Sequence, residues 1–284
     1  MTRPHPTFVF VHGAWHDSRS WTRVQALLDA QGYPSVAVDL PGATSGLAAS
    51  QPSEDGTAGA SETAVSPVSG ITQAQRTEAV VEVVRHLEAR DCPVILVGHS
   101  MGGATISPVT EQIPEAISAV VYLSGFMVPP GMTVFELSGH ASMADALTGA
   151  LFVGDPEVLG ALRIQPDSPD ESYQQTVRSA FYGDVDESDL EEFIQTLHSD
   201  EPVSASFVPS DMTAERFGSV PRYYIECSDD RAIPPSGQAF MMAEVDRALG
   251  GRPTKQLTLQ SSHSSFLSQP GALADLLMGI AEDV

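Results

Sequence analysis

The sequence predicts an α/β protein: a mostly parallel, doubly wound sheet with a helical cap inserted in its second half. Three observations carry this expectation. Short β-branched runs alternate with stretches of helical apolar spacing, the pattern of parallel strands joined by crossover helices. The runs are almost continuously apolar, as strands covered on both faces must be. Residues 127–215, between two of the runs, interrupt the alternation with aromatic and aliphatic side chains that suggest several helices belonging to no sheet.

In chain order, the strand candidates are Thr7–Val11, Ser35–Asp39, Val94–Val97, Ala119–Leu123, Tyr223–Cys227 and Lys255–Leu259. Helix patterns fall between them at Ser20–Ala30, Thr72–Ala89, Gly102–Ile113, Gly237–Leu249 and Ala272–Ala281. In the second of these, Thr77, Val80, Val81, Val84 and Leu87 recur at helical spacing. Residues 43–70 are rich in Ser, Ala, Gly and Thr, contain two prolines and have no period, so a long, flexible surface loop is expected. The resulting organisation is a core of residues 1–126 and 216–284, with 43–70 as an insertion loop and 127–215 as a cap. No repeat of solenoid period interrupts it.

Composition narrows the function. The chain has 284 residues, 14 Lys+Arg and 37 Asp+Glu, a formal charge of −23. With one lysine, Lys255, it lacks the basic clusters that bind nucleic acid, and its acidity opposes an anionic membrane surface. No apolar run approaches the ~20 residues of a membrane span. Phe8–Val11 is too short for the apolar region of a signal peptide, so a cytoplasmic location is expected. Cys92 and Cys227 do not make a disulfide framework. No cluster has metal-ligand spacing and no loop is built to cradle phosphate, so neither metal nor cofactor is expected.

The chemistry concentrates after the strands. Val94–Val97 leads into Gly98-His99-Ser100-Met101-Gly102-Gly103 and then a helix pattern, which places G-x-S-x-G in the strand–turn–helix setting that exposes a nucleophilic serine. A serine hydroxyl is a weak nucleophile and needs a base, itself oriented by an acid. His263, which follows the last strand, is the only histidine C-terminal to the candidate acids. Those acids are the adjacent Asp229 and Asp230, which must point differently. The developing oxyanion needs donors. The backbone N–H of Met101 and that of Ala14, in the loop His12-Gly13-Ala14-Trp15-His16, are the candidates. Gly13, Trp15 and Phe126 are candidate substrate contacts. His12 is expected to be structural, while His16 is either pocket lining or local packing.

These segments, together with Tyr122–Pro129, Glu215–Gly218 and Tyr224–Pro234, resemble the α/β-hydrolase fold family. Within it they resemble the branch of methyl-salicylate-type esterases, hydroxynitrile lyases and bacterial carboxylesterases. The resemblance spans nearly the whole chain apart from 43–70. It implies Asp230 rather than Asp229 as the acid, and His99 as a lining residue of the pocket. The branch's lyases carry threonine at the place of Gly13 and lysine at the place of Ser264, so both departures favour an esterase. The expected activity is hydrolysis of a small carboxylic ester or lactone through an acyl-enzyme. A biosynthetic tailoring enzyme on the same triad, or a slow-turnover ligand receptor, is the alternative. Residues 141–215 hold 16 acidic and 2 basic side chains, so 2 − 16 = −14 of the charge lies there. If that acidity reaches the pocket mouth, neutral esters are favoured over anionic ones.

Overall fold

A computed structural model describes residues 5–43, 63–194 and 196–284. The strands are β1 (Thr7–Val11), β2 (Ser35–Val38), β3 (Val94–His99), β4 (Ala119–Leu123), β5 (Ala161–Arg163), β6 (Asp200–Pro202), β7 (Arg222–Cys227) and β8 (Lys255–Leu259). The α-helices are α1 (Thr22–Ala30), α2 (Gln73–Glu88), α3 (Gly102–Gln112), α4 (Val134–Ser138), α5 (Pro156–Leu159), α6 (Glu171–Phe181), α7 (Glu187–Ile194), α8 (Pro235–Leu249), α9 (Ser265–Ser268) and α10 (Pro270–Glu282).

Six strands form one parallel sheet in the order β2-β1-β3-β4-β7-β8. Every side chain of β1, β3 and β4 is buried, which explains their uninterrupted apolar sequences. The chain steps outward from β1 to β2 and then returns to the other side of β1 with β3. The sheet's topological switch point therefore lies between β1 and β3, where open α/β sheets bind ligands at their carboxyl edge.

The expected strands and helices are present, with boundaries moved by local chemistry. The helix expected from Gly237 begins at Pro235, because proline suits a first helical turn, whose N–H donors have no intrahelical acceptor. The segment expected as helix Ser20–Ala30 begins as a 3-10 turn, Ser18–Trp21, capped by the Asp17 carboxylate, before α1 starts at Thr22.

Between β4 and β7 the chain is not purely helical. Besides α4 to α7 it contains an antiparallel ribbon, β5 paired with β6, with Arg163 opposite Asp200 and ion-paired to it at 2.6 Å. Its two strands, Ala-Leu-Arg and Asp-Glu-Pro, are too short to display a period of two. The loop expected over 43–70 lies mostly outside the described residues; in 63–70, which are mainly exposed, Ser66 and Val68 anchor the chain. Val68 is buried, Ser66 N–H donates to Leu159 O at 2.8 Å, and the Ser66 hydroxyl donates to Asp200 at 2.5 Å. Among the described residues no helix is long and apolar enough to cross a membrane.

Candidate active site

The carboxyl edge of the sheet gathers the residues singled out by the sequence. Ser100 follows β3 with φ +51°, a left-handed conformation that a non-glycine residue holds only under constraint. The backbone supplies it: Ser100 N–H donates to Leu123 O, and Phe126 N–H donates to Ser100 O. The turn is tight because β3 meets α3 directly beneath β1. A Cβ on Gly102 would lie 2.6 Å from the carbonyl oxygens of Val11 and His12.

His263 follows β8 and is 1% exposed. Its Nδ1–H donates to Asp230 Oδ2 at 2.7 Å, which leaves Nε2 as the basic nitrogen. Asp230, after β7, is equally buried. Its Oδ1 accepts from the backbone N–H groups of Ala232 and Ile233 at 2.7 and 2.9 Å, and Oδ2 also accepts from the Ser124 hydroxyl. Asp229 is exposed. Burial and turn geometry thus separate two adjacent aspartates that position in the chain leaves equivalent, and it is Asp230, the one the family resemblance implies, that faces His263. Ser124 is the residue that sequence reasoning missed. It sits just past β4 with φ +36°, and only the neighbouring strand brings Asp230 to it.

Ala14 and Met101 both line a cavity of about 780 Å³ that also contains Ser100. Among the described residues neither backbone N–H is taken by a hydrogen bond. Met101 immediately precedes α3, whose first N–H groups have no intrahelical acceptor and whose dipole favours negative charge there.

Of the candidate substrate contacts, Trp15 and Phe126 form part of the cavity wall, joined by Phe135 and Phe181. Gly13 and His99, also expected to contact substrate, are not part of that wall. Gly13 serves close packing instead, because a Cβ there would lie 2.8 Å from Ser100 Cβ and 3.0 Å from His99 Nδ1. His99 is buried behind the site, where its Nε2–H donates to His263 O at 3.0 Å and its ring lies 4.5 Å from that of His263. Burial, reinforced by the nearby His263 and His16, holds its pKa well below the ordinary histidine value, so it is a neutral support.

The other histidines of the first loop are structural as well. His12 Nδ1–H donates to Gly13 O and its Nε2 accepts from Leu40 N–H. His16 Nδ1–H donates to Ala14 O at 2.6 Å, and its Nε2 accepts from the Tyr182 hydroxyl at 2.9 Å. Desolvation pushes the pKa of His16 down to about 3.

The cavity is mainly apolar, with Phe135 and Phe207 at a ring distance of 5.2 Å and both substantially exposed. Three carboxylates, Glu136, Asp155 and Glu157, belong to its wall, while none of its described lining residues is basic. Acidic residues of the inserted segment therefore border the pocket. Among the described residues there is no cluster able to hold a metal ion.

A strained serine at a strand–helix elbow, a His–Asp pair from the next strand ends and an apolar pocket over the switch point define an α/β hydrolase. The chain belongs to that family: the alpha/beta hydrolase family model matches residues 8–276. Among similar proteins, a pyrethroid hydrolase of Sphingobium wenxiniae is 28% identical over 96% of this chain and 87% of its own. The salicylic acid-binding protein 2 of Nicotiana tabacum is 28% identical over 96% of both chains. The crystal structure of a pyrethroid hydrolase from Sphingobium faniae JZ-2 superposes with a TM-score of 0.78, at 25% identity over 98% of this chain and 97% of the other. The branch suggested by the sequence motifs is therefore the one in which its relatives fall.

Proposed function

We infer that the protein is a carboxylic-ester hydrolase that works through a Ser100-His263-Asp230 triad. The observation that carries this reading is the convergence on one cavity of Ser100 and two N–H groups that have no hydrogen-bond partner among the described residues, with the buried His263–Asp230 pair behind them.

In the mechanism, His263 Nε2 takes the Ser100 hydroxyl proton as Oγ attacks the acyl carbon. Asp230 holds the imidazole in the Nδ1–H tautomer and stabilises the imidazolium that forms. The N–H groups of Ala14 and Met101 receive the oxyanion, a contribution of about 2.7–4 kcal/mol per donor. His263 then protonates the departing alkoxide, leaving an acyl group on Ser100. Water, deprotonated by the same nitrogen, attacks the acyl carbon; the acid leaves and Ser100 regains its proton.

Substrates are small neutral esters or lactones with an apolar portion. Trp15 and five phenylalanines line the pocket, and Glu136, Asp155 and Glu157 disfavour an anionic group at the mouth. Esterase names among the relatives support the same reaction class. The test is a panel of aryl, alkyl and methyl esters and lactones run against wild type and Ser100→Ala. Hydrolysis is expected to vanish in the variant without a change in melting temperature. Undiminished turnover in Ser100→Ala refutes the assignment.

A further inference from the structure

The backbone of Trp15 lies in the left-handed region, φ +60°, where a bulky aromatic residue stays only if its surroundings over-determine it. Those surroundings come from the segment between β4 and β7. Trp15 Nε1–H donates to Leu162 O of β5 at 2.8 Å, and Trp15 O accepts from His198 N–H at 2.8 Å. Trp15 N–H donates to Oε2 of Glu201, in β6, at 3.4 Å.

Glu201 is 2% exposed, a costly place for a carboxylate. Its other oxygen, Oε1, accepts from the guanidinium of Arg76 in α2, itself 1% exposed, whose Nε–H reaches Pro41 O at 3.2 Å. The carboxylate is therefore divided, with one oxygen for the charge that makes its burial tolerable and one for the amide of the strained residue. Buried ion pairs are weak evidence for stability in themselves. The second oxygen is what needs explaining, and it sits on the peptide joining Trp15 to Ala14.

We propose that Glu201 is a positioning residue for ester cleavage, fixing the Ala14–Trp15 peptide and thereby the direction in which the Ala14 N–H meets the oxyanion. The proposal rests on the hydrolase reading above. Arg76 acts one step further out, as the counter-charge that holds Glu201 in place. The β5–β6 ribbon thus belongs to the catalytic machinery as well as to the cover over the pocket.

Two double variants isolate the amide contact without stranding a buried charge. Arg76→Met/Glu201→Leu removes the acceptor for Trp15 N–H, whereas Arg76→Met/Glu201→Gln keeps a neutral one. The measurements are kcat and KM on a short-chain aryl ester and the inhibition constant of phenylboronic acid, whose boron forms a tetrahedral adduct with Ser100 Oγ. The leucine variant is expected to lose about a hundredfold in kcat, the scale of a misplaced catalytic group, with KM little changed. Its boronate affinity falls alongside kcat, and the glutamine variant recovers most of both. Equal kcat in the two variants, a loss confined to KM, or unchanged boronate affinity overturns the proposal.

If the leucine variant does not fold, Glu201→Asp carries the test. It keeps the pairing with Arg76 but draws back from Trp15, and about a tenfold loss in kcat is expected; unchanged kcat overturns the proposal. Wild-type turnover that vanishes in Ser100→Ala establishes the underlying reading separately. Without it that reading fails and this one falls with it.

Discussion

Acid should destabilise this protein through its buried neutral histidines, and His16 gives the effect a magnitude. An unfolded histidine titrates near 6.5, whereas His16 in the fold is pushed down to about 3 by burial. Between these values the unfolded chain binds a proton that the folded chain refuses. Stability therefore falls as pH drops through 6.5, at about 1.4 kcal/mol per pH unit well inside the window, and levels off below about 3. From pH 7 to pH 5 the loss assigned to His16 is about 2 kcal/mol, a sizeable share of the ~5–15 kcal/mol that holds a typical domain together. His12 and His99 are lowered by the same desolvation and add to the slope. Acidification also discharges carboxylates and relieves the self-repulsion of a chain at −23, which acts in the opposite direction. Comparison with His16→Asn cancels that background. The amide can still donate to Ala14 O but has no proton to gain. Urea unfolding of both proteins at pH 5, 6 and 7 should give a stability difference that moves by about 2 kcal/mol in favour of the variant as pH falls. Parallel stability–pH curves would refute the claim that His16 is buried in its neutral form.

Other expectations follow from the site. Ser124→Ala removes one of four hydrogen bonds to the Asp230 carboxylate, and kcat should fall about tenfold with KM unchanged if that bond helps aim His263. Gly13→Thr places a Cβ 2.8 Å from Ser100 Cβ, an atom that cannot swing away. Activity should fall at least tenfold even where circular dichroism shows a folded protein. Asp155→Asn/Glu157→Gln should raise kcat/KM for a carboxylate-bearing ester more than for its neutral counterpart, and added salt should shrink the difference. A flat response across ionic strength would remove the electrostatic account of selectivity. Cys227, fully buried with its thiol pKa pushed up to about 12, should resist iodoacetamide at pH 8 in the folded protein, while the partly exposed Cys92 reacts; mass spectrometry distinguishes the two.

The sequence by itself determined the sheet and pointed to the candidate nucleophile and base. Strands buried on both faces must be written as nearly pure apolar runs, so β1, β3 and β4 could be read directly. A serine elbow needs small residues where backbones touch, so Gly98-His99-Ser100-Met101-Gly102 announced itself through its spacing. What required tertiary structure were contacts between distant segments, which leave no local pattern. The family resemblance implies Asp230 over Asp229, but the physical reason, which carboxylate faces inward toward a residue 33 positions away, lies in the fold. Placing His99 behind the site, although it adjoins the nucleophile, depends on how β8 delivers His263. The ribbon β5–β6 escaped notice because three residues cannot show a period. Yet through Glu201, 186 positions from Trp15, it grips the loop that carries Ala14. Periodicity records which way a side chain faces within its own element; only the folded chain decides what it meets there.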